Sequence, residues 1–168
     1  GNRSILADPR HSETKDIVNT KIKFREPFRP FAPSVLAEST SQYFELPDYN
    51  RHMAARFMLL VVPVLEGKQD IIPAVNHLGT ARVQIVYRDA SPRYHQLIQR
   101  FGQATGVPVL LNTSFNENEP IVCTPTDAYR CFMRTEMDYL VLENFLLEKT
   151  DQPKWMEQDD WREEFEPD

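Results

Sequence analysis

A chain of 168 residues with 41% apolar and 26% charged side chains can form one globular domain that buries roughly 70% of its unfolded surface. This excludes disorder throughout, a collagen-like repeat and a disulfide-built miniprotein. The net charge of −6 is concentrated in residues 151–168, where eight acids face Lys154 and Arg162, whereas residues 1–150 hold 17 acids and 17 bases. The first thirty residues carry seven bases against four acids, so the acidic total does not argue against an anionic ligand. Cys123 and Cys131 lack a C-x-x-C partner and specify neither a zinc site nor a disulfide framework. The apolar stretch Met58 to Leu65 is far short of the ~20 residues that cross a bilayer, and no signal pattern precedes it. A soluble, cytoplasmic protein is expected, with one domain over residues 1–150 and an acidic tail over 151–168. The opening GNRSILADPR lacks a methionine, and the chain reads as a piece of a longer polypeptide.

In chain order, His11 to Asn19 predicts a short helix. Lys21 to Arg25 alternates cation and apolar residue, the period of a half-buried strand with three cations on one face. Pro27, Pro30 and Pro33 forbid a helix and keep Phe28 to Pro33 extended, with Arg29 on a stiff segment. Phe57 to Leu65 and Ile71 to Val75 predict a hairpin across Glu66 to Asp70. Thr80, Arg82 and Gln84 alternate with Ala81, Val83 and Ile85, so Arg82 is aimed to the polar face of a strand. Tyr94, Leu97, Ile98 and Phe101 predict a helix over 92–105, opened by Ser91-Pro92 and ended by Gly106. Val107 to Leu111 predicts a buried strand with Pro108 at its start, and the polar run Asn112 to Asn116 leaves it. Thr124 to Asp127 predicts a capped helix start, and Tyr139 to Leu147 an apolar strand. The whole predicts an α/β (α+β) fold with a sheet of mixed direction.

Three clusters carry chemistry. Lys21, Lys23 and Arg25, with Arg29 behind them, form a cationic stretch whose mutual repulsion a phosphate would relieve. At an effective dielectric near 20, each cation about 4 Å from a phosphate charge contributes on the order of 4 kcal/mol before desolvation. A solvated edge strand guarded by lysine is the alternative. Asn112, Thr113, Ser114 and Asn116 offer donors and acceptors at a strand exit, where sheet proteins collect ligands; an ordinary turn has the same composition. Asn76 to Arg82 joins Gly79 to the planar fork of Arg82, with His77 and Thr80 beside it. Cys123 precedes a helix start, but no base is spaced to serve it. No Gly-rich phosphate loop, carboxylate pair or Ser-His-Asp order is present, and the chemistry reads as phosphate-centred.

The runs GNRSILADPR (1–10), KFREPFRPFAP (23–33), HLGTAR (77–82) and LNTSFNENEPIV (111–122) resemble the C-terminal domain of the O-carbamoyltransferases, which include nodulation-type and antibiotic-tailoring enzymes. The resemblance spans residues 1–149. It implies a YrdC-like twisted mixed sheet flanked by helices, with the K-x-R signature at Lys23 and Arg25 and the S-x-N signature at Ser114 and Asn116. It further implies that this domain binds carbamoyl phosphate and ATP with Mg2+ and forms carbamoyl adenylate. An N-terminal actin-like ATPase-fold domain with an iron-type metal would then transfer the carbamoyl group to an acceptor hydroxyl. By carry-over, Lys23, Arg29 and Arg82 hold phosphates, and Asn112 and Ser114 orient carbamoyl phosphate or nucleotide. Arg3, Arg25, His77, Thr80 and Asn116 support them. Many members have glycine before the EPIV segment, where this chain has Asn118 and a shorter loop.

On this reading the three cationic and polar stretches converge on one polyphosphate. Two other classes remain open. A nucleotide or double-stranded RNA binding module would show steep salt dependence without turnover, although the net acid charge makes nucleic acid an unfavoured partner. An interaction domain would use the acidic tail, with Trp155, Trp161 and Phe165 among its acids, to dock a partner.

Overall fold

In the computed structural model, residues 3–117 and 120–155 are described. The elements in chain order are β1 (Ser4–Ala7), α1 (Ser12–Ile17), a π-helical turn (Val18–Ile22), β2 (Ala32–Leu36), α2 (Thr40–Tyr43), β3 (Val61–Pro63), β4 (Thr80–Arg82), β5 (Gln84–Val86), α3 (Pro92–Thr105), β6 (Val109–Ser114), α4 (Pro125–Arg134), β7 (Tyr139–Leu142) and β8 (Phe145–Glu148). The chain divides into two compact units, Gly1–Lys15 with Pro30–Thr113, and Asp16–Arg29 with Ser114–Asp168. No helix among the described residues is long and apolar enough to cross a membrane.

The first unit is organised by a four-stranded sheet in the order β1-β6-β2-β5. β2 runs antiparallel to β6 and parallel to β5, so the sheet is of mixed direction and the class is α+β, as expected. All five residues of β2 are buried, in keeping with its central place. Pro33 lies one residue before the first pair with β5, Ser34 with Gln84, at the margin where a missing N–H is tolerated. Helix α3 spans the expected residues, with Pro92 in its first turn and Gly106 ending it at φ 79°. Its stripe of Tyr94 and Ile98 packs with Leu36, Val86 and Leu110, and Leu6 and Phe101 close the cluster.

One buried polar network runs through this core. The Asn112 amide nitrogen donates toward Ser34 Oγ at 3.0 Å, Gln84 Oε1 at 2.9 Å and Tyr94 Oη at 3.1 Å, and Ser34 Oγ donates to Gln84 Oε1 at 2.6 Å. Burial pushes the Tyr94 phenol up to about 12, against smaller opposing effects of Ser34 and Asn112. The native state therefore holds this proton more tightly than the unfolded chain, whose tyrosine titrates near pH 10. Stability present below pH 10 is lost as pH rises towards 12, by roughly 2–3 kcal/mol at the upper end. Urea unfolding across that range is expected to show a steeper loss in the native chain than in Tyr94→Phe; equal slopes contradict this reading.

Several local expectations are corrected. Lys21 to Arg25 is no strand, because Lys21 and Ile22 end the π-helical turn and Phe24 takes a left-handed backbone at φ 46°, which breaks the period-2 alternation. The expected hairpin partner Ile71 to Val75 is absent: Pro73 opens a 3-10 turn there, and β3 pairs antiparallel with β4 instead. Thr80 to Gln84 is not one strand either, since buried Val83 separates β4 from β5, which pair in different sheets.

In the second unit, α4 starts at the expected cap. Thr124 Oγ1 accepts from the Asp127 N–H at 3.2 Å, while Asp127 Oδ2 accepts from the Thr124 N–H at 2.9 Å, a reciprocal capping box. Those backbone donors hold the Asp127 carboxyl below its usual range. Ala128, Cys131 and Phe132 form the buried stripe of α4. The expected single strand Tyr139 to Leu147 is a hairpin, β7 with β8, with Glu143 left-handed at φ 53° between them. Trp155 meets Tyr129 edge-on at 6.2 Å between ring centroids. Residues 156–168 of the acidic tail, with Trp161 and Phe165, lie outside the described residues, as does Asn118.

Candidate functional site

In the second unit, Val18, Asn19 and Ile22 are the buried residues of the π-helical turn. The turn ends where the Lys23 N–H reaches the Val18 carbonyl at 2.9 Å, a bond five residues back. Asn19 is fully buried and organises the loop that follows. Its amide nitrogen donates to the carbonyls of Pro27 at 3.1 Å and Arg29 at 3.0 Å, and its Oδ1 accepts from Arg25 Nε at 2.7 Å. The left-handed Phe24 between Lys23 and Arg25 reverses the chain, so the two cations reach different partners. Arg25 goes to Asn19, while Lys21 pairs with Glu136 at 2.9 Å.

Lys23 turns inward and is 4% exposed. Its ammonium donates to the Ser114 carbonyl at 3.0 Å, Ser114 Oγ at 3.3 Å, the Asn116 carbonyl at 2.7 Å and Asn116 Oδ1 at 2.6 Å. Ser114 Oγ in turn donates to Asn116 Oδ1 at 2.6 Å. Three N–H bonds thus serve four neutral oxygens. They lock the end of β6 into a turn that the Val122 N–H closes on the Phe115 carbonyl at 3.0 Å. A buried charge acts strongly on neighbouring groups, because little water screens it.

On the loop that Asn19 holds, Arg29 is partly buried and its Nε lies 3.1 Å from Glu26 Oε2. Next to Asn116, Glu117 is fully buried in the side chain, and its Oε1 lies 3.6 Å from Arg134 Nη1, itself only 3% exposed. This pair joins the turn after β6 to the last turn of α4.

In the first unit, Leu78 and Gly79 form a tight turn with φ 51° and 80°. The flanking His77 and Thr80 exchange backbone bonds of 2.8 and 3.0 Å, and Thr80 Oγ1 donates to the His77 carbonyl at 2.8 Å. Arg82 ends β4 opposite Val61. It is exposed and has no ion-pair partner among the described residues, so its guanidinium fork is available. Arg3 is exposed just before β1.

Lys23, Ser114 and Asn116 therefore meet within the second unit, with Arg25 and Arg29 on the loop that Asn19 fixes. His77, Thr80 and Arg82 share the β4 hairpin of the first unit, whose interior holds the Asn112 amide. Sequence reasoning missed Asn19, Glu117 and Arg134. For Asn19 a signal existed: it lies next to Val18 and three residues before Ile22, on the apolar face of the helical stretch, where an amide must find internal partners.

The same stretches carry a relationship to known proteins. Residues 1–149 match the family described as Carbamoyltransferase C-terminus. The chain is 50% identical to the nodulation protein NolNO of Sinorhizobium fredii, over 89% of the chain and 22% of that protein. It is also 50% identical to NolO of Bradyrhizobium diazoefficiens, over 89% of the chain and 27% of that protein. An uncharacterized protein of Synechocystis sp. is 48% identical over the full chain and 30% of its own length. The chain thus spans less than a third of these relatives, and it belongs to the carbamoyltransferase C-terminus family.

Proposed function

We propose that this chain is the part of a carbamoyltransferase that binds carbamoyl phosphate and ATP and forms carbamoyl adenylate. The observation that carries this reading is the inward Lys23 ammonium joined to Ser114 and Asn116, because it couples the two signature stretches at a strand exit. Water cleaves carbamoyl phosphate to phosphate and carbamate. A carbamate oxygen then attacks the α-phosphorus of ATP, and pyrophosphate leaves with the electron pair of the broken P–O bond.

Both substrates are polyanions, so the main task of the protein is to offset charge before and during attack. In the second unit, Arg29 binds phosphate oxygens, the buried Lys23 offsets their charge while its N–H groups hold Ser114 and Asn116, these two orient the carbamoyl or nucleotide group, and Arg25 supports them through Asn19. In the first unit, Arg82 binds phosphate, with His77, Thr80 and Arg3 as supporting donors. Asn112 serves by fixing β6, since its amide hydrogens are committed to Ser34, Gln84 and Tyr94.

No group of three or more His, Cys, Asp or Glu suited to a metal ion occurs among the described residues. Mg2+ would arrive on the phosphates of ATP, its usual carriers, and would neutralise part of their charge. Transfer to an acceptor hydroxyl, and the iron-type metal expected with it, belong to the further sequence that the relatives contain.

The test is protection against thermal unfolding. Carbamoyl phosphate and ATP, each at about 100 times its dissociation constant, are expected to add about 2.7 kcal/mol. Absence of protection by both rejects the reading.

A further inference from the structure

A second donor-rich site lies in the first unit and uses none of the residues assigned above. A cavity of about 210 Å³ is lined by Arg88, Pro92, Arg93, His95, Gln96 and Gln99. Four of these side chains end in guanidinium or amide groups rich in N–H donors, and no acid lines the cavity. Neither Arg88 nor Arg93 has an ion-pair partner among the described residues, whereas Arg10, Arg29 and Arg134 each lie within 4 Å of a carboxylate. Glu38 is engaged, as its Oε1 and Oε2 lie 2.9 and 3.2 Å from Nε2 of the buried His95, and Asp89, next to Arg88 in sequence, accepts from the Ala90 N–H through Oδ1 at 3.0 Å. The bond to Glu38 fixes the imidazole.

We propose that this cavity binds a small phosphate-class anion, held between the Arg88 and Arg93 guanidinium groups with Gln96 and Gln99 completing its hydrogen bonds. The cavity is open to solvent, and its volume, below the roughly 300–1,000 Å³ of pockets that enclose drug-sized molecules, has room for one phosphate group. Arginine suits the purpose because its planar fork grips two phosphate oxygens at once. The source of the group is either free phosphate or a phosphate monoester whose organic part stays outside.

The test is a titration with inorganic phosphate, followed by calorimetry and by the ring signals of the four histidines in NMR. Binding with a dissociation constant of about a millimolar is expected to move the His95 signals and leave those of His11 and His52 in place. The variant Arg88→Gln/Arg93→Gln changes only exposed positions and keeps the fold. It is expected to weaken binding about tenfold or more, while Lys23→Met leaves the His95 response intact. A parallel titration with glycerol phosphate separates the sources, since equal affinity indicates that only the phosphate group is read, and tighter binding that the monoester is the ligand. Unmoved His95 signals at about ten times that concentration, or unchanged binding by the double variant, overturns the proposal. If the His95 response instead vanishes in Lys23→Met alone, the phosphate belongs to the Lys23 site and this cavity is not a site.

Discussion

Replacing Lys23 by methionine is expected to weaken carbamoyl phosphate and ATP binding by about 100-fold and to lower stability by roughly 2–4 kcal/mol. Methionine keeps most of the volume of the side chain, so packing is little changed. What disappears is the buried charge and the donors to the Ser114 and Asn116 carbonyls, Ser114 Oγ and Asn116 Oδ1. Each buried acceptor left without a partner costs about 1–3 kcal/mol, reduced where water enters the gap. The loss of affinity follows from removing a positive charge at a poorly screened position, worth about 3 kcal/mol in offsetting a phosphate charge. Calorimetric titration and urea unfolding of the same variant separate the two effects. A variant that loses stability but binds both ligands as the native chain does would make Lys23 a purely structural lysine.

Arg134→Met is expected to have the largest effect on stability, about 3–5 kcal/mol, because it removes the buried cation that lies 3.6 Å from the buried Glu117 carboxylate. For a chain of this size that lowers the midpoint of thermal unfolding by about 10 °C or more. The double variant Glu117→Gln/Arg134→Met removes both charges and is expected to recover most of the loss. Equal destabilisation in the single and double variants shows that the contact at 3.6 Å carries no coupling energy. Since Glu117 follows directly on the Ser114 to Asn116 turn, ligand affinity is expected to fall with the single change and to return with the double one.

These effects bear on what was legible in the sequence. Helix α3 and the start of α4 were readable because their signals are local: a proline in the first turn, a capping residue, an apolar stripe and a terminal glycine. The mixed sheet was readable as a class, since buried apolar strands alternate with helices. The Lys21 to Arg25 stretch was misread because its alternation imitates a strand. The left-handed Phe24 and the amide of Asn19, which bonds residues eight and ten positions away, decide its path instead. The β3 partner was misplaced for a similar reason, as Pro73 removes Ile71 to Val75 from any ladder and leaves β4 to take that edge. Within the candidate site, Lys23, Ser114 and Asn116 could be named from their motifs. That they meet rests on bonds spanning 91 and 93 residues, beyond the range of any periodicity. The Glu117 and Arg134 pair shows no pattern at all, for two charged residues 17 apart read as surface.

The most direct measurement of the central claim is exchange of labelled pyrophosphate into ATP. In the native chain it is expected only when carbamoyl phosphate is present, because carbamate is the nucleophile that expels pyrophosphate. In a folded Lys23→Met variant it should fall by about 100-fold. Exchange that proceeds equally without carbamoyl phosphate, or at an undiminished rate in that variant, contradicts the account.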